Sequence, residues 1–565
     1  MSDAVASHGF RPYQAPRTDR TALIDPPLRK VPALLAQNRQ SFQSVATLAG
    51  HDWTAWRREG RLELLRMALD YTRAYRDVSG SPLETSNLRT VARGPGQPRD
   101  RGSSDEPPIL LAGHQPELFH PGVWFKNFLL SSLGSDCRAI SINLIVDNDL
   151  SRLQTIRAPA RSEQGEVRAS LIELDVPSGG RPIEETRLID RQLFEGFGER
   201  LRRQVEPLVK TPIIEQLWPL ARSAQQRGVD RLGWILAEAR HRYEATCGLQ
   251  TLEVPLSQLC DTQSFYQFLL AVCSDAPHFQ HCYHEALAVY RVAHRIRSRS
   301  HPVPNLGSVH DWFEVPFWTY ADQDPRRRAV WVQRRGKRLV LSDRVRWEAE
   351  LPSESNAAGF LEAVRGSGQR LRPRALVTTA YARLVLSDAF IHGIGGGKYD
   401  QLNDLIIASF FGIEPPGFLV ATATMRLPGA PDPSTARQDL ARIEHQLRYI
   451  QFAPERLWMD LGVPMPSAAR PIVDQKQALL RAIPVRSQKH GWHAEIMELN
   501  RAIAMEARPV IAELHERQRA VRSELQSAIA WSNREYAFCC YPTSLPDALT
   551  QALAMAVESA GERRA

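Results

Sequence analysis

The stretch Ile109-Leu110-Leu111-Ala112-Gly113-His114-Gln115-Pro116-Glu117-Leu118-Phe119-His120-Pro121-Gly122-Val123-Trp124-Phe125-Lys126-Asn127 compresses a strand, a polar loop and a helix start into one unit. Ile109 to Ala112 is a short apolar run behind Pro107-Pro108, which suits a buried strand. Pro121-Gly122 followed by Trp124, Phe125, Phe128 and Leu129 suits a helix with proline in its first turn. A strand-loop-helix corner leaves free backbone N–H groups and the positive end of a helix dipole facing the loop, so it favours a phosphate or carboxylate ligand. Gly113, His114, Gln115, His120, Gly122 and Lys126 are the candidate residues of such a site. The alternative is that His120 only caps the helix and His114 is a packed loop residue.

Working outward, Ala139 to Val146 is a second apolar, β-branched run that ends in Asp147-Asn148-Asp149. Strand, helix, strand opens a parallel α/β sheet, and ligands of such sheets sit at the carboxyl ends of the strands. Asp147 and Asp149 are therefore placed to hold Mg²⁺ with a nucleotide, or to orient an amine or alcohol nucleophile. An Asx turn ending the strand is the alternative.

A second polar corner follows much later. Ala375 to Thr378 reads as a strand, Ala380 to Asp388 as a helical turn or two, and Phe390-Ile391 leads into His392-Gly393-Ile394-Gly395-Gly396-Gly397-Lys398-Tyr399-Asp400-Gln401. A helix carrying Leu402, Leu405, Ile406 and Phe410 comes next. Glycines ahead of a helix start permit close backbone approach and left-handed conformations, which makes His392, Gly395, Gly396, Gly397, Lys398 and Asp400 a candidate anion cradle. The spacing is neither that of a P-loop nor of a dinucleotide-binding fingerprint.

With 565 residues, 43% hydrophobic and 24% charged, the chain is expected to form two or three globular domains. No apolar run approaches the ~18 residues of a spanning helix. Met1-Ser2-Asp3-Ala4 lacks the basic and apolar regions of a signal peptide, so a cytoplasmic location with no membrane partner is expected. Seven cysteines without a Cys-x-x-Cys pair argue against a disulfide framework, and the local cluster Cys273, His278, His281, Cys282, His284 has no second ligand pair, so no metal site is expected.

Residues 1–32 read as a disordered arm, 33–106 as a helical segment and linker, 107–430 as the α/β core with an inserted hairpin, and 431–565 as a helical bundle or coiled-coil arm. The hairpin is signalled by alternation from Arg328 to Ser342 around Arg335-Gly336. In the last region Leu440, Ile443, Leu447 and Ile450 step by three and four, and Pro509 interrupts a longer amphipathic run from Ile496 to Ile529. Such helices offer a surface for a homodimer. Leu171 to Val176 and Leu252 to Val254 read as further strands.

Net charge is +8, and arginines gather from Arg291, Arg295, Arg297 and Arg299 through Arg326-Arg327-Arg328 to Arg370 and Arg374, interleaved with Trp312, Phe313, Phe317, Trp318, Tyr320 and Trp331. That composition fits a single-strand nucleic-acid groove. It fits equally a half-buried sheet with a solvated face, which is the favoured reading and makes nucleic acid a disfavoured partner.

Taken in order, these motifs resemble the cysteine-adding enzymes of bacillithiol biosynthesis (the BshC-like family). That family opens with an apolar strand and a Gly-Gln-Gln-x-Gly-Leu-Phe-x-Gly-Pro loop, echoed by Gly113 to Gly122. Its acidic Glu-Asp-His-Asp cluster is similar to Asp147-Asn148-Asp149, and its Arg-Pro strand and Gly-Gly-Pro-Gly-Glu corner are similar to Arg372-Pro373 and Gly395 to Asp400. The anchor also resembles the His-Gln-Pro start of WbqC-like proteins. The resemblance implies a Rossmann-like, nucleotidyltransferase-like parallel-sheet core with a coiled-coil C-terminal region. It also implies an ATP-dependent ligase or transferase that binds an adenine nucleotide (ATP or ADP), with Mg²⁺ as a candidate companion, and joins an amine- or thiol-bearing small molecule to another substrate. The chain departs from that pattern where His114 replaces the first Gln and Gly-Lys-Tyr-Asp replaces Pro-Gly-Glu, so substrate identity does not carry over. The rival expectation is a non-catalytic nucleic-acid-binding or scaffold protein that uses the arginine-rich middle.

Overall fold

The computed structural model describes residues 9–78, 106–298, 300–351, 357–482, 485 and 489–562. The chain divides into two compact units: the first comprises residues 1–158, 171–425 and 534–565, the second 159–170 and 426–533.

The first unit is built on a mixed sheet of six strands: β1 (Thr21–Asp25), β2 (Ile109–His114), β3 (Ile140–Ile145), β6 (Leu252–Pro255), β12 (Ala389–His392) and β13 (Leu419–Thr424). Between β3 and β6 the chain makes the two-stranded hairpin β4 (Thr155–Arg161) and β5 (Val167–Glu173). The sheet order is β1-β13-β12-β2-β3-β6, with β1 antiparallel and every other neighbour parallel. Strands β3, β6 and β13 are buried along their whole length, and the polar residues they carry, Ser141, Asn143, Glu253, Thr422 and Thr424, are buried with hydrogen-bond partners. The residues expected to form a disordered arm instead supply β1, whose backbone pairs with β13 from Thr21↔Thr424 to Asp25↔Val420. Its low hydrophobicity misleads because an edge strand needs backbone partners more than apolar side chains. Residues 1–8 and 89–105, the latter expected to be a loop, lie outside the described residues.

The helices that frame this sheet are α1 (Val31–Ser44), α2 (Trp53–Arg73), α3 (Pro121–Asp136), α4 (Leu232–Thr246), α5 (Ala375–Tyr381) and α6 (Ile394–Ile406). From β2 the chain passes through α3 to β3 and later to β6; from β12 it passes through α6 to β13, on the other side. Strand order therefore reverses between β2 and β12, and the crevice at the carboxyl ends of those two strands is the sheet's switch point. Ala375 to Thr378, expected to be a strand, forms α5 instead. Pro373 ends the preceding strand, and Arg374 caps a helix whose buried Leu376, Val377 and Ala380 override the β preference of Val377, Thr378 and Thr379.

The register of β12 against β2 is set by Asp388. Its backbone N–H donates to Ile109 O at 2.8 Å, and its carboxylate accepts from Ile109 N at 2.8 Å and from Arg61 Nη1 at 2.9 Å. Arg57 and Arg39 stand at 3.5 and 3.6 Å from the other carboxylate oxygen. Asn38 of α1 donates to Asp388 O, so α1 and α2 both lock onto the same turn.

A second, antiparallel sheet of the first unit runs β10 (Glu348–Leu351), β9 (Arg338–Ser342), β8 (Asp324–Arg335), β7 (Trp312–Ala321), β11 (Gln369–Pro373). The alternation that signalled a hairpin pairs β8 with β9, Arg335 opposite Arg338, across a turn in which Gly336 has φ +62°. Its arginines are spent on carboxylates: Arg326 and Arg328 on Asp324, Arg335 on Glu348, Arg338 on Glu350, and Arg372 on Glu184 and Asp261. The aromatic rings are equally engaged, Phe317 and Tyr320 by burial and Trp312 and Trp331 beneath Arg335 and Arg344. Arg299 lies outside the described residues.

The second unit is a helical bundle of α7 (Pro433–Phe452), α8 (Ala469–Arg481), α9 (Lys489–Glu506) and α10 (Arg508–Trp531), with a short helix at Arg456–Asp460. Ile443, Trp458, Val473, Ile503, Leu514 and Val521 form its core, and Leu440, Leu447 and Ile450 pack along the edge. Pro509, second residue of α10, separates α9 from α10 where a single long helix would otherwise run. The last helix, α11 (Leu545–Glu562), returns to the first unit and packs on β1 and α3. Among the described residues no helix is long and apolar enough to cross a membrane.

Burial pushes the Asp388 carboxyl up, but Arg61, Arg57 and Arg39 outweigh it and hold the group below the usual carboxylate value. A depressed folded value contributes stability above the unfolded pKa, near 3.9, which is lost as pH falls through the folded one. Asp388→Asn leaves buried Arg57 without its counterion and is expected to cost about 3–5 kcal/mol at neutral pH. Denaturant unfolding across pH checks this: the deficit against the parent protein should narrow below pH ~4.

Candidate functional site

His114 is the last residue of β2, and its Nδ1 lies 3.1 Å from Gln115 O, so Nδ1–H donates and Nε2 carries the lone pair. Protein surrounds the ring while its edge stays accessible. Burial, then Lys126, pushes its pKa down to about 3, so the imidazole is neutral at pH 7. His120 caps α3, accepting from Gly122 N at 3.1 Å, and is pushed down to about 4 by burial and then Arg534 and Lys126. Lys126 is 3% exposed and spends one of three donors on Gly113 O at 2.9 Å. Burial, then Arg240, lowers it to about 8. Among the described residues no carboxylate pairs with it.

The second corner differs from its expected form. Gly393 is the N-cap of α6, and Gly395, Gly396 and Gly397 form its first turn with ordinary negative φ. At Gly396 and Gly397 the lack of a side chain serves close packing instead of unusual backbone angles. A Cβ at Gly397 would overlap Val420, one at Gly396 would stand 2.8 Å from His392 Nδ1, and one at Gly395 would meet nothing. The cap has no side chain to satisfy the first N–H groups, which stay free for a ligand. His392 Nε2 lies 3.0 Å from Asp400 Oδ2, and Asp400 also accepts from Arg383 at 2.6 Å and Thr379 at 2.5 Å. Burial opposes ionisation of Asp400, but Arg383 and His392 hold it well below the usual carboxylate range.

These two corners open onto one cavity of about 850 Å³ at the switch point. Of the sequence-predicted residues, Gly113, His114, Gln115, His120, Gly122, Lys126, Asp149, His392, Gly395, Gly396 and Lys398 line it. Asp147, Gly397 and Asp400 do not. Asp147 is fully buried, accepting from Ser257 N at 2.9 Å, Ser257 Oγ at 2.6 Å and Trp234 Nε1 at 3.0 Å. It therefore anchors the helix at Leu256–Leu259, and burial pushes it up to about 6. Asp149 points the other way and is held by Gln115 at 3.2 Å and Arg327 at 3.0 Å. The two carboxylates thus do not converge on one ion.

The cavity also contains residues that no sequence motif marked. Trp318 carries Arg374 at 3.9 Å and Arg327 at 5.1 Å from its ring centre, and Tyr13 and Arg534 come from the two ends of the chain. Arg327 and Trp318 lay inside the arginine-aromatic stretch, but nothing in that pattern separated cavity residues from paired ones. Five cationic side chains, Lys126, Arg327, Arg374, Lys398 and Arg534, line the cavity beside two carboxylates, Asp149 and Glu535.

Two clusters elsewhere bear on metal chemistry. His278 and Cys282 share a helix face with Sγ 3.7 Å from Nε2, whereas His284 Nε2 accepts from Leu306 N at 3.1 Å. His241, Glu244 and Glu253 converge with ligand atoms within 4.8 Å of one another. Arg240 already supplies the cation there, at 2.9 and 3.0 Å from Glu244 and 2.5 Å from Glu253. Among the described residues Glu253 Oε2 has no hydrogen-bond partner, and burial, against the pull of Arg240, pushes this carboxyl up to about 7. Arg240 is shared between the two carboxylates, and Glu244 repels the charge of Glu253.

No protein-family model matches the chain, and no curated protein matches it.

Two stability measurements check this geometry. Gly397→Ala is expected to lose about 1–3 kcal/mol by overpacking against Val420, whereas Gly395→Ala should be neutral or gain up to about 1 kcal/mol of helix propensity. Equal effects would mean that the glycines serve no packing role. For Glu253, the folded protein holds the proton more tightly than the unfolded chain, so this group's stabilising contribution is full below pH ~4.5 and lost as pH rises through about 7. Glu253→Gln should flatten that decline, read as melting temperature against pH.

Proposed function

We propose that the switch-point cavity is the active site of an ATP-dependent ligase or transferase, Rossmann-like in its core, that joins an amine- or thiol-bearing small molecule to a second substrate. The observation that carries this reading is Lys126: a buried ammonium without a carboxylate partner among the described residues, on a cavity whose charged lining residues are five cations against two carboxylates. Such a site is incomplete without an anion, and phosphate oxygens match free N–H groups and ammonium donors together. Lys126, Lys398 and the first turn of α6 would hold the phosphates of an adenine nucleotide. When bound, that nucleotide supplies an activating phosphoryl or nucleotidyl group. Neutral His114 offers Nε2 as an acceptor for a substrate N–H or O–H, and Gln115 and Arg327 fix Asp149, the carboxylate on the β3 side, where it can orient the nucleophile.

The nucleic-acid alternative loses its main support, since most of the arginines it would use are paired to carboxylates of their own sheets and loops.

Thermal unfolding against a panel of nucleotides, with and without Mg²⁺, tests the proposal. At a hundredfold excess over Kd, binding to the folded state alone adds about 2.7 kcal/mol. Adenine nucleotide should raise the melting temperature, and His114→Ala and Lys398→Ala should each reduce that rise. If no nucleotide shifts the intact protein, the proposal fails.

A further inference from the structure

Resting on that reading, we infer that His392 is the catalytic base that takes the proton from the amine or thiol nucleophile, with Asp400 as its positioning residue. His392 ends β12 at the level of Gly113 on β2, one residue short of His114, and lines the cavity. Its Nε2 is fixed 3.0 Å from Asp400 Oδ2, which makes Nε2 the protonated nitrogen and Nδ1 the bare one. Among the described residues Nδ1 has no hydrogen-bond partner, and it faces the first turn of α6, where Gly396 leaves the space it needs. Phe390 and Phe418 hold the ring on its other sides, with centroids at 4.5 and 5.0 Å.

The charged groups about this ring are few. Asp400 and Lys398 come from the following helix, Asp404 lies one turn on, and Arg383 reaches in behind Asp400, bonded to both aspartates at 2.6 Å. Arg383 keeps Asp400 ionised, so the carboxylate orients the imidazole and stabilises the imidazolium without taking its proton. That is the division of labour between an acid and a histidine in acyl-transfer triads. The other two cavity histidines are unsuited to the task, since His114 is surrounded by cations and His120 is committed to capping α3.

In the step itself the nucleophile's N–H or S–H bond breaks, the proton forms a bond to Nδ1, and the electron pair left behind bonds to the acceptor atom of the second substrate. The acceptor's leaving group departs with its own electron pair and receives the proton back from the imidazolium. His392 ends the cycle neutral.

The test needs no identified substrate. Diethyl pyrocarbonate acylates bare imidazole nitrogen, and mass mapping of each histidine reports its modification rate in the full chain without nucleotide. His392 should react through the cavity, at a rate that falls several-fold in Asp400→Asn and is partly restored in Asp400→Glu. Rescue by glutamate but not by asparagine separates a positioning carboxylate from one that only fills space. Because Asp400 also holds Arg383, a second measurement leaves it untouched: in ¹⁵N-histidine-labelled protein, the His392 signals, assigned with His392→Gln, should show Nε2 protonated and Nδ1 bare at neutral pH. An Nδ1-protonated ring, a modification rate unchanged in Asp400→Asn, or an inert His392 while His114 reacts would each overturn the assignment. Nucleotide is absent from both measurements, so failure of the nucleotide reading and failure of His392 as base give different results.

Discussion

The turn before β12 depends on one buried carboxylate. Asp388 exchanges backbone and side-chain hydrogen bonds with Ile109 at the start of β2 and gathers Arg61, Arg57 and Arg39 from two helices. An unpaired charge at that depth would be too costly to keep, so the ion cluster and the strand register stand or fall together. Register matters here more than elsewhere in the sheet. A slip of one residue between β12 and β2 would send His392 to the opposite face and separate the two corners that meet in the cavity.

From that register the electrostatics of the cavity follow. Parallel strands deliver their carboxyl ends to one edge, and at the switch point the helices after β2 and β12 both begin there, so two positive dipole ends share a small volume, the first turn of α6 without a side-chain cap. Burial first, and then the charge of Lys126 and, for His120, of Arg534, keeps His114 and His120 neutral. Arg240 contributes from below. It neutralises Glu244 and Glu253 at the edge of the sheet, yet remains close enough to lower Lys126 and His114. The buried ion network therefore sets the field of the cavity without lining it.

Much of this architecture was legible because short apolar or β-branched runs flank a helix with clear start signals. Ile109 to Ala112 is such a run, Ile140, Ile142, Leu144 and Ile145 supply the apolar residues of the next strand, and Pro121 and His120 mark the helix between them. What escaped was determined by partners distant in sequence. Thr21 to Asp25 is a strand because β13, four hundred residues on, offers its edge. Ala375 to Thr378 is a helix because its apolar side chains find a core that local β preference does not report. The glycine run was legible as a special segment but not as helix, since a glycine needed for space and one needed for its backbone angles are the same letter. Asp147 and Asp149 show the same limit at finer scale: two residues apart in an irregular turn, one is buried under Ser257 and Trp234 and the other reaches the cavity.

The three histidines make the final distinction. Each sits at the carboxyl end of a sheet strand or in the loop beyond, so position alone ranks them equally. Their second nitrogens separate them. His120 gives its lone pair to Gly122 and keeps only an N–H donor at Nε2, so it has no nitrogen left to accept a proton. His114 donates to a peptide oxygen, a neutral partner that fixes the tautomer but does nothing to stabilise added charge, among cations that oppose it. His392 donates to a carboxylate that Arg383 keeps ionised. Only the last environment becomes more favourable when the ring gains a proton, and a ring of that kind on the cavity wall is suited to accept one during a reaction rather than merely to bind.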